Sequence, residues 1–461
     1  CRRHRAAPGC HAGPHRGLPC AGAPAPEGDR MPGPILIAIA VLELVAIGLV
    51  WHAARNARTP RGAIGWAVFL IAAPYAAVPL YAVLGHHRFI GYRRARRRSA
   101  ALTEDLRAAA GDHRPAPPCP DARPFEALAE LPAVRGNAAR LLADGAETFD
   151  AILGEIGRAE RYVLVQFYTI RDDGLGRRLQ EALVAAAGRG VAVRLLFDTV
   201  GSSRMPERYL DTMRAAGCHV MDRKTARGPS TFFELNYRNH RKTVIVDGRA
   251  GFTGGFNVGD EYLDGGAQFE AWRDTHVRIA GPMVRQLQIA FVEDWYWITG
   301  DREILGALDW TVEAEAGDAT GLIVGTGPGD GRDEAEMFFI AALAAARERV
   351  WIASPYFVPD SGSLQALKLA ALRGVDVRVI VPERIDNKMP WLAAFSYFDE
   401  VRGAGVRVWR YTAGFMHQKV LVVDDRIAAV GTANMDNRSF RLNFETVAVF
   451  FDAPLAGAVA E

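Results

Sequence analysis

Two short patterns in this chain set the same chemical groups at the same intervals. His240-Arg-Lys242-Thr-Val-Ile-Val-Asp247 leads into Gly254-Gly-Phe-Asn257, and His417-Gln-Lys419-Val-Leu-Val-Val-Asp424 into Gly431-Thr-Ala-Asn434. In both, the aspartate lies seven residues after the histidine, the glycine seven after the aspartate and the asparagine three after the glycine. The chain has 5 Lys against 50 Arg, so two lysines at matched places are conspicuous. In a strand, residues two apart project from one face, and each His and Lys would act on a single surface. Imidazole serves as a nucleophile or as an acid and base near neutral pH. An ammonium is a compact cation suited to a phosphate oxygen, and asparagine can bond a substrate oxygen. One pattern makes half a site; two facing each other would gather two His, two Lys and two Asn around one phosphate. Each His is accompanied by a Lys that would repel a divalent cation, and no His, Cys or carboxylate set has metal-ligand spacing, so neither metal nor cofactor is expected.

The elements around the motifs also repeat. Arg161-Tyr-Val-Leu-Val-Gln-Phe-Tyr168 has its counterpart in Arg349-Val-Trp-Ile-Ala-Ser-Pro-Tyr356, both buried-strand patterns. Arg189-Gly-Val-Ala-Val-Arg194 matches Arg373-Gly-Val-Asp-Val-Arg378, and Arg214-Ala-Ala-Gly-Cys-His-Val220 matches Arg402-Gly-Ala-Gly-Val-Arg-Val408. Helix, glycine and strand alternating in this way read as βαβ units on a largely parallel sheet. The glycine-rich Gly325–Gly331 stretch lacks the Gly-Lys-Ser/Thr of a phosphate-binding P-loop and reads as a loop.

At 461 residues, 49% hydrophobic and with a net charge of +2, the chain is neither disordered nor the strongly basic kind that binds nucleic acid in bulk. Ile35 to Ala54 is apolar but for Glu43, and Ile64 to Leu84 is a second apolar run, each long enough to cross about 30 Å of hydrocarbon. Pro74 and Pro79 read as tolerated kinks, and Glu43 as facing the partner helix or reaching the interface. The turn between the runs holds Arg55, Arg58 and Arg61; after the second come Arg88, Arg93, Arg94, Arg96, Arg97 and Arg98. The heavier cluster points to a membrane hairpin with the bulk of the chain in the cytoplasm. The boundaries expected are 1–30 (non-native upstream or disordered), 31–98 (membrane anchor), 99–135 (linker), 136–312 (first repeat) and 313–461 (second repeat).

The paired motifs, with Gly254-Gly-Phe-Asn-Val-Gly-Asp-Glu-Tyr262, Trp272-Arg-Asp-Thr-His276, Ser354-Pro-Tyr-Phe-Val-Pro-Asp360 and Gly431-Thr-Ala-Asn-Met-Asp-Asn-Arg-Ser-Phe440, resemble the phospholipase D superfamily over residues 136–461. With the amino-terminal apolar runs they look like bacterial cardiolipin synthases of that type. The resemblance implies two α/β sandwich domains, each a mixed sheet flanked by helices, about a pseudo-two-fold axis. It implies phosphatidyl transfer between two phosphatidylglycerols through a phosphohistidine, with His240 the nucleophile and His417 the acid and base. Lys242, Lys419, Asn257 and Asn434 would hold the phosphoryl oxygens. An acid downstream of each His would orient it: Glu445 for His417, and Asp274, with Glu270 nearby, for His240. Asp247 and Asp424 belong to the catalytic motif, although their place at strand ends reads as structural. The partners implied are phospholipid and membrane lipid, with no nucleic acid. Met389, Trp391 and Phe395 either border a lipid entrance or belong to the core. The family usually continues past Glu461. A membrane-anchored hydrolase releasing phosphatidic acid and a lipid-binding protein with a dead site are the competing readings.

Overall fold

The computed structural model describes residues 33–57, 60–85, 119–222, 238–266, 269–311, 316–328 and 332–461. The segment before residue 31 and the Arg88–Arg98 cluster lie outside the described residues. The chain divides between His87 and Arg88 into two units.

In the first unit, α1 (Gly33–Asn56) has 24 residues and is apolar enough to cross a membrane; at about 1.5 Å per residue it exceeds the hydrocarbon thickness. Glu43 is exposed on it and does not face a partner helix. The second apolar run departs from the single crossing helix expected. It forms α2 (Pro60–Ala72) and α3 (Pro74–Leu84), of 13 and 11 residues. Ala73 leaves helical geometry at φ −144°, because the Pro74 ring disfavours the helical region for the residue before it. Pro79, by contrast, stays inside α3. The chain then doubles back. Trp66, seven residues before the break, meets Tyr81, eight after it, edge-on at 4.9 Å, and Tyr81 hydrogen-bonds His52 of α1 at 2.8 Å. Ala53, Leu70, Ala77 and Tyr81 form the buried centre of this bundle.

The second unit is built on strands β1 (Val134–Leu142), β2 (Tyr162–Phe167), β3 (Ala192–Phe197), β4 (His219–Asp222), β5 (Arg238–Asn239), β6 (Thr243–Val246), β7 (Ala250–Gly254), β8 (Trp272–Arg273) and β9 (His276–Ala280). They are followed by β10 (Ala319–Thr326), β11 (Arg349–Ala353), β12 (Phe357–Val358), β13 (Asp376–Pro382), β14 (Arg407–Tyr411), β15 (Phe415–Met416), β16 (Val420–Val423), β17 (Ile427–Gly431), β18 (Met435–Asp436) and β19 (Asn443–Phe450). One sheet runs through both repeats in the order β14-β13-β11-β16-β17-β19-β10-β1-β9-β7-β6-β2-β3-β4. Outward from the central antiparallel β1–β10 pair, the two repeats place equivalent strands in the same order. The sheet is mixed. Along this order the outer strands β2-β3-β4 and β11-β13-β14 are parallel, joined by helices such as Gly174–Gly188 and Ser361–Leu372. The motif strands are antiparallel, because short turns after Asp247 and Asp424 return β6 onto β7 and β16 onto β17. Separate apolar clusters lie against each repeat's share of the sheet, and the buried helix Met283–Thr299 belongs to a third that draws on both.

Candidate active site

Each motif histidine sits where a strand of its own repeat pauses and a two-residue strand pairs with the other repeat. β5 lies parallel to β19, with Arg238 opposite Asn443 and Asn239 opposite Phe444. The next residues in register are His240 and Glu445, and His240 Nδ1 meets Glu445 Oε2 at 2.9 Å. β15 lies parallel to β8, with Phe415 opposite Trp272 and Met416 opposite Arg273. The next residues there are His417 and Asp274, and His417 Nδ1 meets Asp274 Oδ2 at 2.7 Å. The orienting acids are therefore exchanged between repeats: Glu445 holds His240 and Asp274 holds His417, the reverse of the assignment from sequence order. Glu270, the other candidate, is exposed and pairs with Arg384 at 3.0 Å.

Both acids are fully buried. Glu445 also accepts from Thr432 Oγ1 at 2.5 Å, Ser439 Oγ at 2.9 Å and Asn443 Nδ2 at 3.0 Å. Asp274 accepts from the Thr275 amide at 2.8 Å. Its carboxylate lies directly over Gly255, where a Cβ would collide with Oδ1, so the second glycine of the Gly254-Gly255 pair is a space requirement. Burial by itself would raise both carboxylates. The ammonium of Lys419 with His417, and the imidazole of His240 with Lys242, outweigh it and hold Asp274 and Glu445 below the usual carboxylate range. Burial lowers both histidines. His417, with Lys419 Nζ 2.6 Å from Nδ1, is brought down to about 4. Each Nδ1 is engaged with a carboxylate, which leaves Nε2 for the substrate.

The histidines line one cavity of about 520 Å³, with Asn257, Asn434, Tyr168, Trp272, Tyr356 and Asp436 on its walls. Asn257 is held by the Thr169 amide, which donates to Oδ1 at 3.2 Å; Asn434 Oδ1 has no partner among the described residues. The lysines are buried behind the histidines and do not border the cavity. Lys242 Nζ donates to the His240 carbonyl at 2.8 Å, and Lys419 Nζ donates to the His417 carbonyl. Burial brings Lys242 down to about 7 and Lys419 to about 8, so both are cations that give up their protons readily. Among the described residues, no cluster of His, Cys, Asp and Glu has the geometry to hold a metal ion.

Asp247 and Asp424, grouped with the catalytic motif, lie at the far ends of their strands and do not line the cavity. Asp247 accepts from the amides of Glu160, Arg161 and Tyr162 at 3.0, 2.8 and 2.9 Å. Asp424 does the same for Glu348 and Arg349 at 2.8 and 3.0 Å and for Arg347. Both have left-handed backbone, φ 52° and 50°, which aspartate tolerates at a tight turn. They tie the motif hairpin to the start of β2 and of β11.

Sequence reasoning passed over several side chains. Arg241, between the motif His and Lys, is buried. It pairs with Asp294 at 3.0 Å and donates to the carbonyls of Ala290, Thr326 and Glu445, pinning the repeats together. Tyr168 stands edge-on to His240 at 5.1 Å, and the Tyr356 hydroxyl meets Asp386 at 2.5 Å on the cavity rim. Burial pushes Asp436 up to about 6. The matched segments Arg161–Tyr168 and Arg349–Tyr356 were the signal available for the two tyrosines.

Comparison with known proteins gives a consistent answer. A family described as cardiolipin synthase, PLD-like domain, matches residues 152–295 and 339–461. The cardiolipin synthase A of Pseudomonas aeruginosa strain LESB58 is 43% identical over 437 residues, 93% of this chain and 88% of that protein. The protein of the same name from Pseudomonas syringae pv. syringae is 42% identical over 431 residues, 91% of this chain and 88% of the relative. Among solved structures, a phosphatidylserine synthase of Haemophilus influenzae superposes with a TM-score of 0.55 at 17% identity, over 74% of this chain and 88% of that one, a likeness of fold.

Proposed function

This chain belongs to the cardiolipin synthase family with phospholipase D-like domains, and we propose that it joins two phosphatidylglycerols into cardiolipin and releases glycerol. The observation that carries the mechanism is the single cavity walled by one histidine of each repeat, each held through Nδ1 by a buried acid of the other. His240 Nε2 attacks phosphorus of the donor lipid as the bond to the headgroup glycerol oxygen breaks, and His417 gives its proton to the departing alkoxide. The negative phosphate in the cavity favours the imidazolium this requires. His417, now neutral, takes the proton from a glycerol hydroxyl of the second lipid. That oxygen attacks phosphorus, and the phosphorus–nitrogen bond breaks. One phosphodiester replaces another, so no nucleotide enters. Asn257 and Asn434 face the phosphoryl oxygens, and Lys242 and Lys419 supply positive potential from behind.

In this reading the two domains span 136–312 and 313–461 and are related by an approximate two-fold rotation, which the matching strand order supports. The first unit anchors the enzyme in the cell membrane with the catalytic unit on the cytoplasmic side. Support comes from α3 returning to the end of the bundle that carries Arg55 and Arg61, with the Arg88–Arg98 cluster next in sequence.

The test uses the chain from Met31 onward in liposomes with labelled phosphatidylglycerol. Cardiolipin and free glycerol in equal amounts are expected, with turnover lost by at least about 10³-fold in both His240→Ala and His417→Ala. Phosphatidic acid as the sole product would make the protein a hydrolase. Lipid binding with no turnover in the parent chain would make it a binding protein.

A further inference from the structure

The cavity accommodates headgroups, and a polar space of about 520 Å³ leaves the acyl chains of two phospholipids outside it. On the rim, Asp386 and Asn387 line the cavity, and Asn387 also caps the helix Lys388–Gly403, accepting from the Met389 amide at 3.1 Å. The first turns of that helix expose Met389 at 76%, Leu392 at 58% and Phe395 at 41%, with Trp391 packed edge-on against Phe395 at 4.6 Å. These residues recur at three-residue steps, one face of a helix. Further along the same helix the exposed positions turn polar: Ser396, Asp399, Glu400 and Arg402. The inner face packs on the domain through Ala394, Phe398 and Val401. The apolar side chains are thus outside the core and confined to the end nearest the cavity mouth. At that end Lys388 is exposed and pairs with no carboxylate among the described residues, and Arg410 lies over the Phe395 ring at 5.4 Å.

We propose that Met389, Leu392 and Phe395 form a membrane-inserting lip, which docks the rim of the cavity onto an anionic lipid surface and lets headgroups pass in while their acyl chains stay in the bilayer. An amphipathic helix of this kind seats its apolar side chains about 5–10 Å into the interface, and lysine beside them favours anionic headgroups. Tryptophan at the edge of such a patch suits the same depth. The choice of lipid as occupant rests on the reading of the cavity as a phospholipid site.

The experiment uses the full chain with its cysteines replaced by serine and one environment-sensitive dye, placed through Met389→Cys, Leu392→Cys or Asp399→Cys, in phosphatidylglycerol-containing liposomes. The dyes at 389 and 392 are expected to shift to the blue and to be quenched by lipids with brominated acyl chains; the dye at 399 does neither. Water-like, unquenched emission at 389 and 392 overturns the proposal. A second measurement reads activity in the Met389→Ser/Leu392→Ser double variant. Turnover of bilayer phosphatidylglycerol is expected to fall about tenfold, while a short-chain phosphatidylglycerol dispersed below its micelle concentration is turned over as by the parent. Equal loss on both substrates, or loss on neither, overturns it. Insertion at 389 and 392 in a parent chain that makes no cardiolipin keeps the lip and sinks the synthase reading, so the two failures are distinguishable.

Discussion

At the scale of single residues, the site is a set of buried charges that shift one another. Lys242 and Lys419 lie near 7 and 8 because burial disfavours their cations, and the histidines are lowered for the same reason. A lysine is charged below its pKa and neutral above it, so the positive potential behind the phosphate is complete only well below about 7 and is lost as pH rises through about 7 and then about 8. The expected kcat/KM profile falls above about 4 as His417 loses the proton it must donate, steepens across the interval from about 7 to about 8, and lacks the break at about 6.5 that ordinary histidines would give. A profile with its only break near 6.5 would count against the buried setting. The exchanged acids make a second prediction. Asp274→Asn is expected to lower kcat by about 10²-fold, with KM little changed, because the carboxylate orients His417 and stabilises its imidazolium. The measurement that separates this from a local effect is an NMR titration of the imidazoles: His417, 143 residues away in sequence, should move and His240 should not.

At the scale of elements, the motif is a strand with chemistry at one end and an anchor at the other. Asp424 gathers the amides of Arg347, Glu348 and Arg349 where β11 begins. In Asp424→Ala those amides lose their acceptor, which costs about 2–3 kcal/mol when buried donors are left unpaired. The prediction is a clearly lower thermal midpoint in a scanning experiment, with near-parental kcat in the fraction that stays folded. A folded variant that had lost its turnover would return Asp424 to the catalytic group. The motif's seven-residue spacing is legible in sequence because it recurs unchanged in both repeats. The role of its last residue is not, because a carboxylate at a strand end looks the same whether it meets amides or substrate.

At the scale of the whole molecule, the two readings of the apolar amino-terminal region place the polypeptide differently. A two-span hairpin would put Gly85 at the end opposite Arg55 and Arg61; the fold-back at Pro74 puts it at the same end. Single cysteines at positions 61 and 85, in a chain otherwise free of cysteine, are expected to react with a membrane-impermeant reagent from the cytoplasmic side alone. Labelling of the two from opposite sides would restore the hairpin.

Much of this protein is determined along the chain. Matched intervals identify the paired His-x-Lys motifs, repeated helix–Gly–strand segments identify two copies of one α/β unit, and the apolar run from Ile35 to Ala54 marks a helix long enough to cross a membrane. All three are local, because strand and helix periods and turn lengths are written in neighbouring residues. Tertiary structure decided what depends on pairing between distant segments. Which acid serves which histidine follows from β5 lying on β19 and β8 on β15, a register set by how the two repeats meet. The burial that shifts the lysines, the pinning role of Arg241 and the direction in which α3 returns after the break at Pro74 are likewise properties of what surrounds a residue in space, and order along the chain carries no record of that.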